Sequence, residues 1–291
     1  MLVTLNELLI PAQKDEYAVI APDFLNLSML KHYLAVAEIY NTPIIASYPS
    51  LPPNGFPFGS RLIKRARELC KATTVPICLH LDHGKNVSIC LKAVRMGFTS
   101  IMFDGSQYDF KTNINMTKQV VDAAARAGIS VEAELGHVGE NRHYADATVP
   151  EDELTCPQQA EEFVDKTGVD ALAVSIGTLH GTYRGTPKLD FHRLNEIRSK
   201  VDIPLVLHGG SGTGKKNLLK AVKTGICKIN VFTDIIRPYL KATVDGINPI
   251  RKGTPGNLRR EVVRRIFNDY FDLSCPFTSV YHAPESRKFK T

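Results

Sequence analysis

Residues 168–210 read GVDALAVSIGTLHGTYRGTPKLDFHRLNEIRSKVDIPLVLHGG, and the order of residue types in this stretch decides the fold. An apolar run, Ala171–Ile176, leads into a loop carrying His180 and Gly181. A segment with helix-like apolar spacing follows at Phe191–Lys200, and a second apolar run, Leu205–Leu207, ends in His208 and two glycines. Short apolar runs are compatible with strands buried on both faces, and a helix between two of them is the crossover that parallel strands require.

The same rhythm extends outward. Further apolar runs lie at Ala18–Ala21, Ile44–Ser47, Ile77–Leu81, Ser100–Phe103, Ser130–Ala133 and Lys228–Val231, which makes eight. Helix-like segments lie between them at Arg61–Lys71, Val87–Met96, Thr112–Ala127 and Pro157–Thr167, and several stop at a glycine, as in KTGVDA. Eight strand–helix alternations predict an α/β fold of the (β/α)8 TIM-barrel type, with an open doubly wound sheet as the alternative, since periodicity does not show closure. Polar residues mark the ends of the runs: Asp23, His80, Asp82, His83, Asp104, Glu132, Glu134, His180, His208 and Asn230. A barrel gathers such ends on one face, whereas an open sheet spreads them along a line. The barrel domain is assigned to residues 1–250, and a basic C-terminal helix and tail packing on it to 251–291.

Composition limits the function classes. The chain has 291 residues, 43% hydrophobic and 23% charged, enough for a sizeable core. Its net charge is +6, and residues 251–291 alone hold 9 basic against 4 acidic side chains. The remainder is close to neutral, which argues against a nucleic-acid-binding surface. No apolar run reaches the roughly 18 residues that span a bilayer. The opening MLVTLNELLIPAQKDEYAV lacks a basic n-region and a small-residue cleavage site, so no membrane association and a cytoplasmic location are expected. The six cysteines form no C-x-x-C pair and are expected to be reduced.

Three histidines, His83, His180 and His208, stand just beyond apolar runs, each followed by glycine. Imidazoles from separate strands of one barrel suit a three-ligand Zn²⁺ site with an open position for substrate. A hydrogen-bonded core histidine is the plainer reading of any one of them. His80 is three residues before His83 and is expected to face the other way in an extended strand. Gly209, Gly210 and Ser211 follow a strand and open a helix, so their N–H groups can cradle an anion. Residues 209–216, GGSGTGKK, imitate a P-loop, but Lys216 stands where a magnesium-binding hydroxyl is needed.

The segments LHLDHG, FDGS, VEAELG, TGVDALAVSIGTLHGTY, LVLHGGSG and KINVFTD resemble those of the class II, zinc-dependent ketose-bisphosphate aldolases, of the tagatose- and fructose-1,6-bisphosphate type. The resemblance spans roughly residues 15–245. It implies reversible cleavage of a ketose 1,6-bisphosphate, or a related ketose 1-phosphate, to dihydroxyacetone phosphate and an aldehyde. It further implies one catalytic Zn²⁺ per subunit on His83, His180 and His208, with a monovalent cation as an optional second ion. Asp82 becomes the general acid/base, beside a zinc acting as Lewis acid on the ketose carbonyl. Asp104 and Glu134 become carboxylates near the metal or alternative ligands to it. Gly181 and Asn230, Val231, Phe232 and Thr233 join Gly209–Ser211 at the phosphate, and a homodimer or homotetramer is implied. A zinc- and phosphate-binding barrel with a regulatory role is the alternative function.

Three departures from the family pattern stand out. Asp23 occupies the first strand end, where the family usually has Asn. The loop after VEAELG reads HVGENRHYAD, placing Asn141 and Arg142 in slots the family fills with acids; Glu140, or less directly His143 or Asp146, is left to move protons. In the C-terminal region, Arg259 and Arg260, with Arg264 and Arg265, are candidates for binding the far end of the sugar, a solvated helix face being the alternative.

Overall fold

The structure, a computed structural model, describes residues 1–50, 59–140, 148–247, 261–265 and 268–270. Strands and helices alternate from the start: β1 (Leu2–Val3), α1 (Leu5–Lys14), β2 (Val19–Pro22), α2 (Leu27–Tyr40), β3 (Ile44–Pro49), α3 (Gly59–Lys71), β4 (Ile77–Gly84), α4 (Val87–Met96) and β5 (Ser100–Phe103). The second half continues with α5 (Phe110–Ala125), β6 (Ser130–Leu135), α6 (Pro157–Thr167), β7 (Ala171–Val174), α7 (Phe191–Lys200), β8 (Leu205–Leu207), α8 (Lys215–Lys223), β9 (Ile226–Val231) and α9 (Thr233–Ile247).

All strand pairings are parallel. The order runs β3, β4, β5, β6, β7, β8, β9, β2, and the ring closes where Asp23 bridges Ser47 and the Phe24 N–H donates to the Ser47 carbonyl at 2.9 Å. Eight parallel strands curled around one axis, with helices between them, form the expected TIM-barrel arrangement. Each predicted run falls on one of these strands. The helix expected from Thr112 begins at Phe110 because Asp109 caps it, accepting the Thr112 N–H at 3.0 Å. Gly168 ends α6 at φ +66°, a left-handed position glycine takes without strain.

Alternation along the strands divides the core in two. Ile44, Ala46, Ile77, Leu79, Leu81, Ile101 and Phe103 pack outward against the helices. Val19, Ala21, Ile45, Cys78, Met102, Ala171, Ala173 and Val206 instead share a cluster with Leu5, Leu8, Leu9 and Ala12. Those last four form the apolar face of α1, so α1 lies across the N-terminal end of the barrel and stoppers it. Thr4 and Glu7 form a capping box that starts this helix, with the Thr4 N–H donating to Glu7 Oε2 at 2.7 Å. Near the other terminus, Val263 and Tyr270 are buried in the outer core, and the Tyr270 hydroxyl donates to Asp234 Oδ2 at 2.9 Å.

Among the described residues no helix is long and apolar enough to cross a membrane. Cys70, Cys78, Cys90, Cys156 and Cys227 are free thiols. Leu9 is fully buried between the stopper helix and the barrel floor. Leu9→Ala is expected to lower the free energy of unfolding by about 2–5 kcal/mol, read from urea denaturation. A loss below about 1 kcal/mol would show that α1 does not seal the core.

Candidate active site

The C-terminal strand ends open into a cavity of 570 Å³. Its lining includes Asp23, Asp82, His83, Lys85, Asp104, Glu140, His180, Gly181, Gly209, Ser211, Asn230, Phe232 and Thr233. His83, His180 and His208 converge here, each offering a ring nitrogen, with all three nitrogens within 4.8 Å of one another. The closest approach is between His83 Nε2 and His208 Nδ1, 3.0 Å apart.

Convergence depends on a break in β4. His83 has a positive φ of +49°, and the pairing with β5 slips between Leu81 and Gly84. The slip cancels the alternation that would have turned consecutive side chains to opposite faces, so Asp82 and His83 both reach the interior. The expectation for His80 is thereby corrected. His80 also points inward, one layer deeper, with its Nδ1–H donating to Ser100 Oγ at 2.9 Å and its Nε2 facing Lys228 Nζ at 3.4 Å.

Two of the converging imidazoles are held from behind by carboxylates, and the third through its backbone. His83 Nδ1–H donates to Asp104 Oδ2 at 2.9 Å. His208 Nε2–H donates to Glu132 Oε1 at 2.9 Å. His180 is held through its backbone, whose N–H donates to the Gly139 carbonyl at 2.8 Å, on the loop whose Val138 backbone lies beside the ring. Outer acceptors of this kind fix the ring orientation and turn the other nitrogen inward, where His83 Nε2 and His208 Nδ1 share a hydrogen bond at 3.0 Å. Three nitrogens this close together, once His83 gives up its inner proton, fit the donor set of a zinc ion with room for a fourth ligand.

The supporting carboxylates are themselves committed. Asp104 Oδ1 accepts from Ser106 Oγ at 2.7 Å and the Ser106 N–H at 3.2 Å, and Oδ2 also accepts from Lys85. Glu132 Oε2 takes Lys228 Nζ at 2.7 Å, with both side chains fully buried. This lysine under the histidines was hidden inside an apolar run, KINV, and only the topology reveals its partner. Glu134 accepts the Val138 N–H at 3.1 Å through Oε1, while Oε2 has no partner among the described residues. Burial, followed by the charge of Asp104, pushes the Glu134 carboxyl up to about 8.

Charge is distributed unevenly among the other groups. Burial would raise Asp82, but the neighbouring charges of His83, His208 and Lys228 outweigh it and hold the carboxyl at about 2. The Asn230 amide donates to Asp82 Oδ1 at 3.0 Å and fixes its orientation. His180 is pushed down to about 3 by burial and then by the charge of His83, and His208 falls for the same reasons. Burial would lower His83 as well, but Asp82 and the hydrogen bond to Asp104 raise it to about 10.

Beside the histidines, the loops after β8 and β9 are tied together, Ser211 Oγ accepting the N–H groups of Phe232 and Asp234 at 3.1 Å each. Gly209 has φ +67°, and a Cβ there would meet the Leu179 carbonyl oxygen at 2.5 Å, so the backbone reaches this position only as glycine. Glu140 is an exposed residue at the cavity edge, bridged to His180. Arg264 pairs with Glu261 through Nη2 at 2.8 Å on an exposed helix face. Arg259 and Arg260, with Asn141, Arg142, His143 and Asp146, lie outside the described residues.

Comparison with known proteins shows the family and the fold. The family model described as "Fructose-bisphosphate aldolase class-II" matches residues 3–271. A fructose-bisphosphate aldolase of Staphylococcus aureus is 38% identical over 251 residues, covering 85% of this chain and 86% of that protein. Among solved structures, the YdjI aldolase of Escherichia coli K12 superposes with a TM-score of 0.82 at 31% identity, covering 97% of this chain and 100% of that one. A putative fructose-1,6-bisphosphate aldolase from Coccidioides immitis gives 0.81 at 29% identity, covering 94% and 98%.

Two outcomes are expected for a divalent ion at the three imidazoles. Glu132→Gln weakens its binding by about 10–100-fold in chelator competition. Protons compete with the ion for the same nitrogens, so apparent affinity rises from pH 6 to pH 9, below the His83 value of about 10. Affinity that is flat over this range would exclude a proton on the ligand set.

Proposed function

Because this chain belongs to the class-II fructose-bisphosphate aldolase family, we propose that it reversibly cleaves a ketose 1,6-bisphosphate, of tagatose or fructose, or a related ketose 1-phosphate, to dihydroxyacetone phosphate and an aldehyde. It is an aldolase, a carbon–carbon lyase. The observation that carries the proposal is the placement of Asp82, ionised and steered by Asn230, next to three converging imidazoles in one cavity.

His83, His180 and His208 hold one Zn²⁺ per subunit. When bound, zinc acts as a Lewis acid on the ketose carbonyl and stabilises the negative charge that develops as the carbon–carbon bond breaks. Asp82 takes the proton of the C4 hydroxyl as the C3–C4 bond opens, and returns it in the condensation direction. Asn230 holds Oδ1 of this carboxylate, which leaves Oδ2 for the hydroxyl. Gly181, Gly209, Gly210, Ser211, Asn230, Val231, Phe232 and Thr233 receive the phosphate of the ketose half, supported by the rigid joining of the two loops through Ser211. Asp104 orients His83, and Glu134 stands as an alternative metal contact. Glu140, at the cavity edge, moves the proton of the dihydroxyacetone-phosphate fragment.

Arg259 and Arg260 are assigned to the far end of the sugar on the family resemblance, as is a monovalent cation as second ion. The chain is read as a barrel domain, 1–250, with 251–291 packed against it, which the burial of Val263 and Tyr270 supports. A homodimer or homotetramer in the cytoplasm, acting on a small phosphosugar, completes the proposal.

Zinc-loaded protein is expected to release dihydroxyacetone phosphate from at least one ketose phosphate in a coupled assay, and to lose this activity on chelation. Asp82→Asn lowers kcat by about 10²–10⁴-fold with zinc content intact. Glu140→Ala slows exchange of the dihydroxyacetone-phosphate proton and leaves zinc content unchanged; unaltered exchange removes Glu140 from the mechanism.

A further inference from the structure

Asp23 ends β2 at the seam where the barrel closes. Its backbone is tied on both sides, the N–H donating to the Val231 carbonyl at 3.4 Å and the carbonyl accepting the Tyr33 hydroxyl at 2.8 Å. The side chain lines the cavity and is only 7% exposed, yet its Oδ1 is buried without a hydrogen-bond partner among the described residues. A buried carboxyl oxygen without a donor is unfavourable, and a substrate hydroxyl can supply that donor.

Position within the ring indicates which part of the sugar it meets. The phosphate cradle lies on the loops after β8 and β9, with Gly181 beside it. Asp82, at the end of β4, handles the C4 hydroxyl, where the aldehyde half begins. Asp23 stands between the two, its N–H bonded to Val231 at the edge of the cradle, its backbone bridged to Ser47 on β3, and its carboxyl within reach of the charge of Asp82. The surroundings there are acidic. Asp23, Asp82 and Asp104 face the space together with Lys85, whose ammonium is already bonded to Asp104.

We propose that Asp23 selects the aldehyde half of the substrate: its carboxyl accepts a hydroxyl beyond C4, and the enzyme favours ketose 1-phosphates with an uncharged polyol end over ketose 1,6-bisphosphates. This rests on the aldolase reading above and narrows its substrate class. The carboxyl presents an acceptor oxygen whether or not it carries a proton. A hydroxyl satisfies that oxygen, whereas a phosphate dianion has no proton to give to it and would have to sit beside the Asp82 and Asp104 carboxylates, which repel it. An amide at this position would offer two N–H donors instead.

The test compares kcat/KM of zinc-loaded, full-length protein for matched pairs, fructose 1-phosphate against fructose 1,6-bisphosphate and the same two forms of tagatose. The wild type is expected to prefer the monophosphate of whichever sugar it cleaves by about tenfold or more, a readout that needs no variant. Asp23→Asn is expected to move the ratio toward the bisphosphate by about tenfold, with zinc content unchanged. A wild-type preference for the bisphosphate, or cleavage with a ratio that Asp23→Asn leaves unmoved, overturns this assignment alone. Absence of cleavage of every ketose phosphate by zinc-loaded wild type overturns the aldolase reading and this inference with it.

Discussion

Glu132 is fully buried in the middle of the barrel, and both of its oxygens are committed: Oε1 to His208 Nε2 at 2.9 Å and Oε2 to Lys228 Nζ at 2.7 Å. A carboxylate is tolerated in such a place only when paired and hydrogen-bonded, so the lysine makes the glutamate possible and the glutamate orients the histidine. Lys228 extends the arrangement to His80, which in turn donates to Ser100. Four strands, β4, β5, β6 and β9, are thus joined through the interior by one polar layer. Removing Glu132 or Lys228 leaves an uncompensated charge directly beneath the site.

This layer separates two regions that need opposite properties. Below it, α1 and the small inward side chains of the strands form a dry floor that keeps water from entering at the N-terminal end. Above it, Asp82, Asn230 and the three imidazoles face a cavity large enough for a phosphosugar. Rigid support matters because three nitrogens must meet at one point. Asp104 and Glu132 each fix one ring from behind, and the Gly139 carbonyl ties the backbone of His180.

Much of this was legible in the chain, for identifiable reasons. Apolar runs such as Leu205–Leu207 marked their strands because both faces of a barrel strand are buried, and His83, His180 and His208 were found because each follows such a run. Other features were invisible to periodicity. The left-handed residue at His83 overrides strand alternation, so spacing alone assigned His80 to the wrong face. Lys228 reads as an interruption in KINV until the ring brings β9 opposite β6. The stopper helix carried a usable signal, since Thr4 and Glu7 have capping-box spacing before an apolar run.

The central claim is that three converging imidazoles, two of them locked by a carboxylate behind, define one metal position in the cavity. Zinc-edge anomalous diffraction from crystals of the zinc-loaded protein tests this most directly. One strong peak is expected within bonding distance, about 2.0–2.1 Å, of nitrogens from His83, His180 and His208. A peak bonded instead to Asp104 and Glu134 without His180 and His208, or no peak in this cavity, would contradict the account.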